Sequence, residues 1–327
     1  MTNERTQAIR IHHFGGPEVL QWEAVDLAAP ESGEVRVRQT AVGLNFIDTY
    51  HRSGLYPLNL PAGIGAEAAG MVELTGADVE GFAVGDWVAY VGLPPGAYAE
   101  RRNWPAQRLV KLPAGITDDL AASVMLKGLT AWYLLRRSYR VQSGETVLLY
   151  AAAGGTGTLL GQWATALGAR VIGVTGTPRK AELARAYGCA ETILANDPDF
   201  VSKVRDWSDG GVSVVYDSVG KDTFLQSLDC LRAHGTMVSF GNASGPVAPF
   251  SPMELAKRGS LHLTRPSVFD FISTPDDLAA GTGELFEQIV QGAIRISIGQ
   301  RYPLRDAAAA HRDLESRKTT GATLLDP

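Results

Sequence analysis

Gly154, Gly155 and Gly157 fall in the run Tyr150-Ala151-Ala152-Ala153-Gly154-Gly155-Thr156-Gly157-Thr158-Leu159-Leu160-Gly161, at the corner between an apolar stretch and a helical pattern. Glycines at such a corner let the backbone bend sharply and approach a ligand closely, and the helix that follows aims its first N–H groups and the positive end of its dipole at the guest. A diphosphate fits that description. Glycine spacing alone serves a structural turn equally well, but the apolar runs at 146–150 and 170–175 enclose this one in a unit of βαβ length. The third glycine of the usual dinucleotide pattern is displaced: Leu160 stands at its place and Gly161 comes one residue later. Helix-to-strand contact must then be arranged differently.

A second chemical signal lies at the end of the next strand, Gly173-Val174-Thr175-Gly176-Thr177-Pro178-Arg179-Lys180. Sites that prefer NAD place an Asp or Glu there to bind the ribose hydroxyls, and none is present. Arg179 and Lys180 can instead meet a 2′-phosphate. A helix start is an unfavourable place for cations without a partner, so a merely solvated helix end explains them less well. NADPH is expected rather than NADH.

These residues need elements to hold them. The chain has 327 residues, enough for about two domains, with a formal net charge of -5 and a pI near 5.7. That balance gives no general attraction to nucleic acid or to an anionic membrane. The first residues lack the apolar core of a signal peptide, and no stretch approaches the roughly 20 apolar residues of a membrane span, so a cytoplasmic location is expected. Cys189 and Cys230 belong to no CxxC pair and read as buried packing residues.

From about 8 to 111 the sequence is β-like and punctuated by glycine, with apolar and polar residues taking turns over 34–42 and further strands at 68–74 and 86–91. Thr117 is placed to cap a helix through Met125, and a second helical stretch follows at 131–137, with the domain boundary in this region. Then strands and helices alternate. Six apolar runs, ending with 261–264, predict a Rossmann doubly wound parallel six-stranded sheet. Loops at Gly176, 217–220 and 241–245 lie at the carboxyl ends of its strands, where ligands bind. The tail is expected to form helices over 276–292 and 304–316, an extended stretch at 294–297 and a strand at 323–325 that returns to complete the first domain.

The segments Gly43-Leu44-Asn45-Phe46-Ile47-Asp48-Thr49-Tyr50, Arg52-Ser53-Gly54-Leu55-Tyr56-Pro57, Gly65-Ala66-Glu67-Ala68-Ala69-Gly70, the glycine turn, and Val215-Tyr216-Asp217-Ser218-Val219-Gly220 together resemble the medium-chain dehydrogenase/reductase superfamily. Within it the chain is similar to the zinc-independent NADPH:quinone oxidoreductases, also called zeta-crystallin-like. The resemblance runs from Gly15 to Arg317. It implies a GroES-like, mainly β catalytic domain at 1–125, completed by 267–327, and an NADPH-binding Rossmann domain at 126–266. Zinc alcohol dehydrogenases carry a cysteine within the segment that here reads 45–50 and a histidine where Ala66 stands, together with four structural cysteines; this sequence has none of them. Glu67 alone makes no zinc site, and His51 reads as an ordinary surface or hydrogen-bonding histidine rather than a substitute ligand. No metal is expected.

Without a metal, the reaction needing least assistance is hydride transfer to an acceptor that is already electron-poor, and a quinone qualifies. The resemblance implies that Asn45, Asp48, Tyr50 and Tyr56 line the nicotinamide end, with the tyrosines placed to orient an acceptor oxygen. It carries cofactor contacts to Phe46, Tyr50, Lys127, Thr130 and Tyr133; to Gly154, Gly155, Thr156 and Gly157; and to Gly176, Thr177 and Lys180, which Arg179 supplements. It continues through Ser218, Gly220, Phe240, Gly241, Asn242, Ala243 and Ser244 to Arg265, Pro266, Ser267 and Arg317. Relatives commonly place a tyrosine against the adenosine where Ala195 stands here. Loops at 56–61 and 93–97 set the shape around the acceptor. An NADPH-dependent reductase of α,β-unsaturated carbonyls uses the same hydride geometry, and a non-enzymatic NADPH- or RNA-binding protein is a further alternative, disfavoured by the acidic pI and the lack of an aromatic-basic RNA motif. The resemblance also implies a homodimer joined through the sheet edge at 261–264.

Overall fold

The structure, a computed structural model, describes residues 4–327. The chain divides into two compact units. One holds the described residues through Leu129 together with Ile272–Val290 and Ile296–Pro327; the other holds Thr130–Phe271 and Gln291–Arg295.

The first unit is built on strands β1 (Glu4–Ile11), β2 (Gln21–Leu27), β3 (Glu34–Leu44), β4 (Ala62–Gly63), β5 (Glu67–Thr75), β6 (Trp87–Val91), β7 (Arg101–Pro105) and β8 (Leu109–Lys111), with helix α1 (Phe46–Ser53) inserted after β3. β2, β1 and β4 form a small sheet. β3, β5, β6 and β8 belong to a larger one, in which β7 also pairs with β3. Val35, Val37, Val42, Val72, Val88 and Tyr90 give this unit its core. The alternation over 34–42 is only partly obeyed. Arg36 and Gln39 are buried, because Arg36 finds Asn103 Oδ1 at 3.2 Å and also Glu4 and the Ala28 carbonyl, while Gln39 donates to the Ala97 carbonyl at 2.9 Å.

Helix α2 (Asp118–Tyr133) starts where expected, with Thr117 Oγ1 accepting Leu120 N–H at 3.2 Å and Asp118 and Asp119 in its first turn. It does not break at Gly128. The two expected helical stretches are one helix that ends in a π turn at Leu134–Ser138. Gly128 sits inside it because a Cβ there would lie 2.6 Å from the Leu285 side chain.

The second unit alternates strand and helix: β9 (Thr146–Leu149), α3 (Gly155–Ala166), β10 (Arg170–Thr175), α4 (Pro178–Ala186), β11 (Glu191–Leu194), α5 (Phe200–Trp207), β12 (Val212–Asp217), α6 (Phe224–Asp229), β13 (Leu231–Ser239), α7 (Met253–Lys257), β14 (His262–Thr264) and α8 (Val268–Phe271). Its strands are all parallel, in the order β11-β10-β9-β12-β13-β14, which is the doubly wound six-stranded sheet expected. Leu148, Ile172, Val174, Ile193, Val215 and Met237 pack with Phe200, Val204, Phe224 and Leu228 of the crossing helices. Both cysteines are buried, as packing residues should be.

Helix α9 (Pro275–Val290) follows. The extended stretch expected at 294–297 precedes the strand pairing, which begins at Ile298, and β15 (Ile298–Pro303) then leads to helix α10 (Ala307–Glu315) and β16 (Ala322–Asp326). Ile294 is buried in the second unit, where Arg295 N–H donates to Gln162 Oε1 at 2.9 Å. β16 does return to the first unit. It lies inside the seven-stranded sheet, parallel to β15 and antiparallel to β3, with Leu324 and Leu325 fully buried.

Candidate active site

The glycine turn joins β9 to α3 in the second unit. Ala151 adopts a left-handed backbone at φ 52°, and its carbonyl accepts Gly154 N–H at 2.8 Å, which closes the turn. Gly154 then caps α3, so the N–H groups of Gly155, Thr156 and Gly157 open the helix with no acceptor inside it. Gly157 can be nothing larger: a Cβ there would lie 2.2 Å from the Ala151 oxygen. The displaced Gly161 lies where a Cβ would come 3.1 Å from the Tyr187 carbonyl, and Gly173 where one would meet Cys189 Sγ at 2.6 Å. Helix and sheet therefore close through Gly161, Gly173 and Cys189.

At the end of β10, Gly176, Thr177 and Arg179 are exposed, and Lys180 is half-buried. Thr177 Oγ1 caps α4 by accepting Lys180 N–H at 3.3 Å, Pro178 opens the helix, and the first turn contains no acid. The site thus offers two cationic side chains at a helix start. Ala195, just past β11, is exposed.

The loop after β12 is organised by Asp217, a fully buried residue not among the site residues expected from sequence, and backbone carbonyls of that loop tie it to the one after β13. The Asp217 carboxylate accepts the N–H groups of Val219 and Gly220 at 2.7 and 3.1 Å and the hydroxyls of Thr223 and Ser227 at 2.7 and 2.9 Å. Ser244 Oγ donates to the Val219 carbonyl at 2.9 Å, Ala243 N–H to the Ser218 carbonyl at 3.2 Å, and Phe240 N–H to the Asp217 carbonyl at 2.8 Å. A Cβ on Gly241 would strike the Ser218 oxygen, and Gly220 holds φ 92°. Ser218, Asn242, Ala243 and Ser244 remain half-buried at this edge. Arg265 is exposed and donates to the Pro266 carbonyl at 3.2 Å, with Ser267 exposed beside it. Tyr133 stacks on Phe271 at 4.8 Å between ring centroids, with Thr130 one turn earlier on α2.

In the first unit, Asn45 precedes α1 and presents its side chain to Glu67. Glu67 is fully buried and accepts Asn45 Nδ2 at 2.8 Å, Lys127 Nζ at 2.7 Å and Leu126 N–H at 2.5 Å. Lys127 is itself 6 % exposed, so this is a buried ion pair in which the carboxylate is answered by an ammonium and two neutral donors. Among the described residues, no three His, Cys, Asp or Glu side chains gather as a metal-binding cluster.

Asp48 stands in the first turn of α1, fully buried, with Oδ2 accepting Asn45 N–H at 2.8 Å and Tyr98 Oη–H at 2.9 Å. Burial raises its carboxyl to about 7, against the opposing effect of those two hydrogen bonds. Phe46, Tyr50 and Tyr56 form an aromatic group, with ring centroids 5.9 Å apart for the first pair and 5.2 Å for the second. Tyr50 is buried and Tyr56 half-buried. His51 is not a surface residue. It is 3 % exposed, its Nδ1 has no hydrogen-bond partner, its ring lies edgewise 6.1 Å from Tyr56, and burial lowers its pKa to about 4. The loops at 56–61 and 93–97 are tied down by arginines: Arg10 donates to the Pro61 carbonyl at 2.7 Å and Arg102 to the Pro94 carbonyl at 2.6 Å. Arg317 follows α10, exposed and at φ 59°.

Comparison with known families matches residues 31–114 to the alcohol dehydrogenase GroES-like domain and residues 155–279 to zinc-binding dehydrogenases. A quinone oxidoreductase of Pseudomonas aeruginosa is 51 % identical over 321 residues, covering 98 % of this chain and 99 % of its own. A 2-haloacrylate reductase of a Burkholderia species is 45 % identical and covers 97 % of this chain and 98 % of its own. The crystal structure of Escherichia coli quinone oxidoreductase complexed with NADPH matches with a TM-score of 0.96 at 46 % identity, covering 98 % of this chain and 100 % of that one.

Proposed function

The chain belongs to the quinone oxidoreductase family of the medium-chain dehydrogenase/reductase superfamily, and from that premise we propose that it reduces quinones with NADPH. The Glu67–Lys127 pair is the observation that carries the metal-free part of this reading. In the zinc branch the residue before this glutamate is a ligand; here it is Ala66, and the glutamate itself is committed to an ammonium, Asn45 and a backbone N–H. This donor set suits a fixed positive charge rather than a metal ion.

The second unit fits NADPH. Gly157 lets the start of α3 close against the Ala151 carbonyl, which leaves the first N–H groups of the helix to face a diphosphate in this proposal, and the acid-free start of α4 supports Arg179 and Lys180 as the contacts for a 2′-phosphate. The N–H groups of Gly155, Thr156 and Gly157 would hold the diphosphate. Gly176, Thr177, Arg179 and Lys180 would hold the phosphorylated ribose, and Ser218, Gly220, Phe240, Gly241, Asn242, Ala243 and Ser244 would line the dinucleotide. Arg265, Pro266, Ser267 and Arg317 are proposed as its outer contacts, and Phe46, Thr130 and Tyr133 as contacts toward the nicotinamide. When bound, NADPH supplies a hydride to the electron-poor acceptor. Tyr50 and Tyr56 orient an acceptor oxygen in this proposal, while Asn45, Asp48 and Lys127 fix the polar side of the site around Glu67.

The test is a steady-state panel in which NADPH and NADH are each paired with ortho-quinones, para-quinones and α,β-unsaturated acids and ketones. Turnover confined to NADPH with quinones is expected. Turnover with the unsaturated carbonyls alone would overturn the quinone assignment in favour of the chemistry that the Burkholderia relative's name describes.

We also propose a cytoplasmic homodimer. β14 ends the six-stranded sheet, with exposed His262 and Leu263 on it, and such an edge is commonly paired or covered. No helix among the described residues is long and apolar enough to cross a membrane. A single species of monomer mass in sedimentation at micromolar concentration would overturn the dimer.

A further inference from the structure

The hydrogen bonds behind Asp48 run in one direction only. Arg52 is 3 % exposed and can only donate, so its 3.0 Å contact with His311 makes Nδ1 of that ring a bare acceptor. The imidazole proton therefore sits on Nε2 and points across 3.1 Å to Tyr98 Oη, whose own hydrogen goes to Asp48 Oδ2 at 2.9 Å. That same oxygen takes Asn45 N–H, and Asn45 Nδ2 reaches the Glu67 carboxylate beside Lys127. At the far end Glu315 grips Arg52 with both oxygens, at 2.7 and 3.0 Å. Tyr98, Asp48 and His311 are all fully buried.

Asp48 Oδ1 has no hydrogen-bond partner, so the hydrogen bonds described for this carboxylate all fall on Oδ2. One of the two comes from Tyr98. His311 has both ring nitrogens committed, and burial together with the Arg52 charge lowers its pKa to about 3. It transmits orientation as a neutral ring and is no proton source at neutral pH.

We infer that Tyr98 and His311 are positioning residues for acceptor reduction: they fix Asp48, which fixes Asn45 against the Glu67–Lys127 pair. This rests on the reading of Asn45 and its neighbours as the group that handles the acceptor. Without the Tyr98 hydroxyl, a buried carboxylate keeps one hydrogen bond, and the first turn of α1 is free to shift. A displacement of about 1 Å at that turn is enough to slow the reaction, while the dinucleotide turn at Gly154 to Gly157 is untouched.

Tyr98→Phe keeps the ring and its edgewise contact with His311. Its kcat with saturating NADPH and quinone should fall about tenfold, with the NADPH dissociation constant, read by fluorescence titration, within about twofold of wild type. His311→Leu should lose as much, and His311→Gln, whose amide can accept from Arg52 and donate to Tyr98, should recover most of the turnover. The double variant Tyr98→Phe/His311→Leu should be no slower than either single one, because the run is already broken. Wild-type kcat in Tyr98→Phe, a loss confined to NADPH affinity, or a His311→Gln as slow as His311→Leu would each overturn the inference. Asn45→Ala separates the two levels. Full turnover in that variant sinks the acceptor-site reading itself, whereas a slow Asn45→Ala beside a fast Tyr98→Phe sinks only the role of Tyr98 and His311.

Discussion

The first turn of α4 holds no acid, and the two residues that follow Pro178 are cations, the pair proposed to meet a 2′-phosphate. Arg and Lys suit a helix interior, but at its first turn they oppose the dipole, and the proposed 2′-phosphate would offset that cost. Lys180→Ala should therefore weaken NADPH by about tenfold or more, the usual share of one charge-assisted contact, and leave NADH nearly unchanged. Equal loss for both nucleotides, measured by titration of the nicotinamide fluorescence, would remove Lys180 from the 2′-phosphate site. The residues proposed for the 2′-phosphate could be named from sequence because Gly176, Thr177, Arg179 and Lys180 fall in one short run. The network around Asp48 could not. Tyr98 is 50 positions from Asp48 and His311 is 213 from Tyr98, so no window of sequence contains the pattern. Glu67 was visible as a leftover carboxylate, but its pairing with Lys127, 60 positions away, was not.

Elements were legible where periodicity and turn chemistry agreed. The six strands of the second unit alternate with helices in sequence, and their parallel order follows from that alternation. Misreadings fell where tertiary contact overrode a local signal. Gly128 reads as a helix break, yet α2 continues through it because Leu285 occupies the space where a side chain would stand. Gly128→Ala tests that account. Intrinsic propensity alone would make alanine the better residue by about 1 kcal/mol. A methyl group 2.6 Å from Leu285 instead predicts net destabilisation of about 1 to 3 kcal/mol in urea unfolding, since the buried leucine must shift. A stabilised variant would show that Leu285 yields easily and that the glycine is an accident of composition. The stretch at 294–297 reads only as extended, and its two halves find different neighbours: Ile294 and Arg295 pack in the second unit with Gln162, while the Ser297 carbonyl accepts Ala322 N–H at the start of β16.

At the scale of the whole chain, the return of β15, α10 and β16 to the first unit carries His311 in beside Tyr98, where it joins His51 and Asp48 as buried groups whose displaced pKa values lie between acid and neutral pH. His51 and His311 are lowered to about 4 and about 3, while Asp48 is raised to about 7. Their ordinary values are 6.5 for the histidines and 3.8 for the aspartate. Between about pH 4 and 6.5 the unfolded chain therefore binds two histidine protons that the native unit refuses, and the native unit binds one aspartate proton that the unfolded chain releases. The histidines make stability rise with pH in that window, Asp48 makes it fall, and the balance is one proton in favour of rising. Stability of the first unit should accordingly drop by about 1.4 kcal/mol for each pH unit of acidification between about pH 6 and 4.5, and decline slightly as Asp48 ionises above pH 6.5. The partly buried carboxylates Asp86 and Asp313 of this unit, whose pKa values are lowered by their cationic, hydroxyl or backbone partners, contribute stability that is lost mainly below this window. His311→Gln removes one histidine proton and should flatten the slope to near zero. Asp48→Asn removes the opposing group and should roughly double it, to about 2.7 kcal/mol per pH unit. Urea unfolding at pH 4.5, 5.25 and 6.0 measures all three slopes. Parallel lines for the wild type and both variants would show that these groups reach water in the native state, and that the ordered run from Arg52 to Asp48 does not persist in solution.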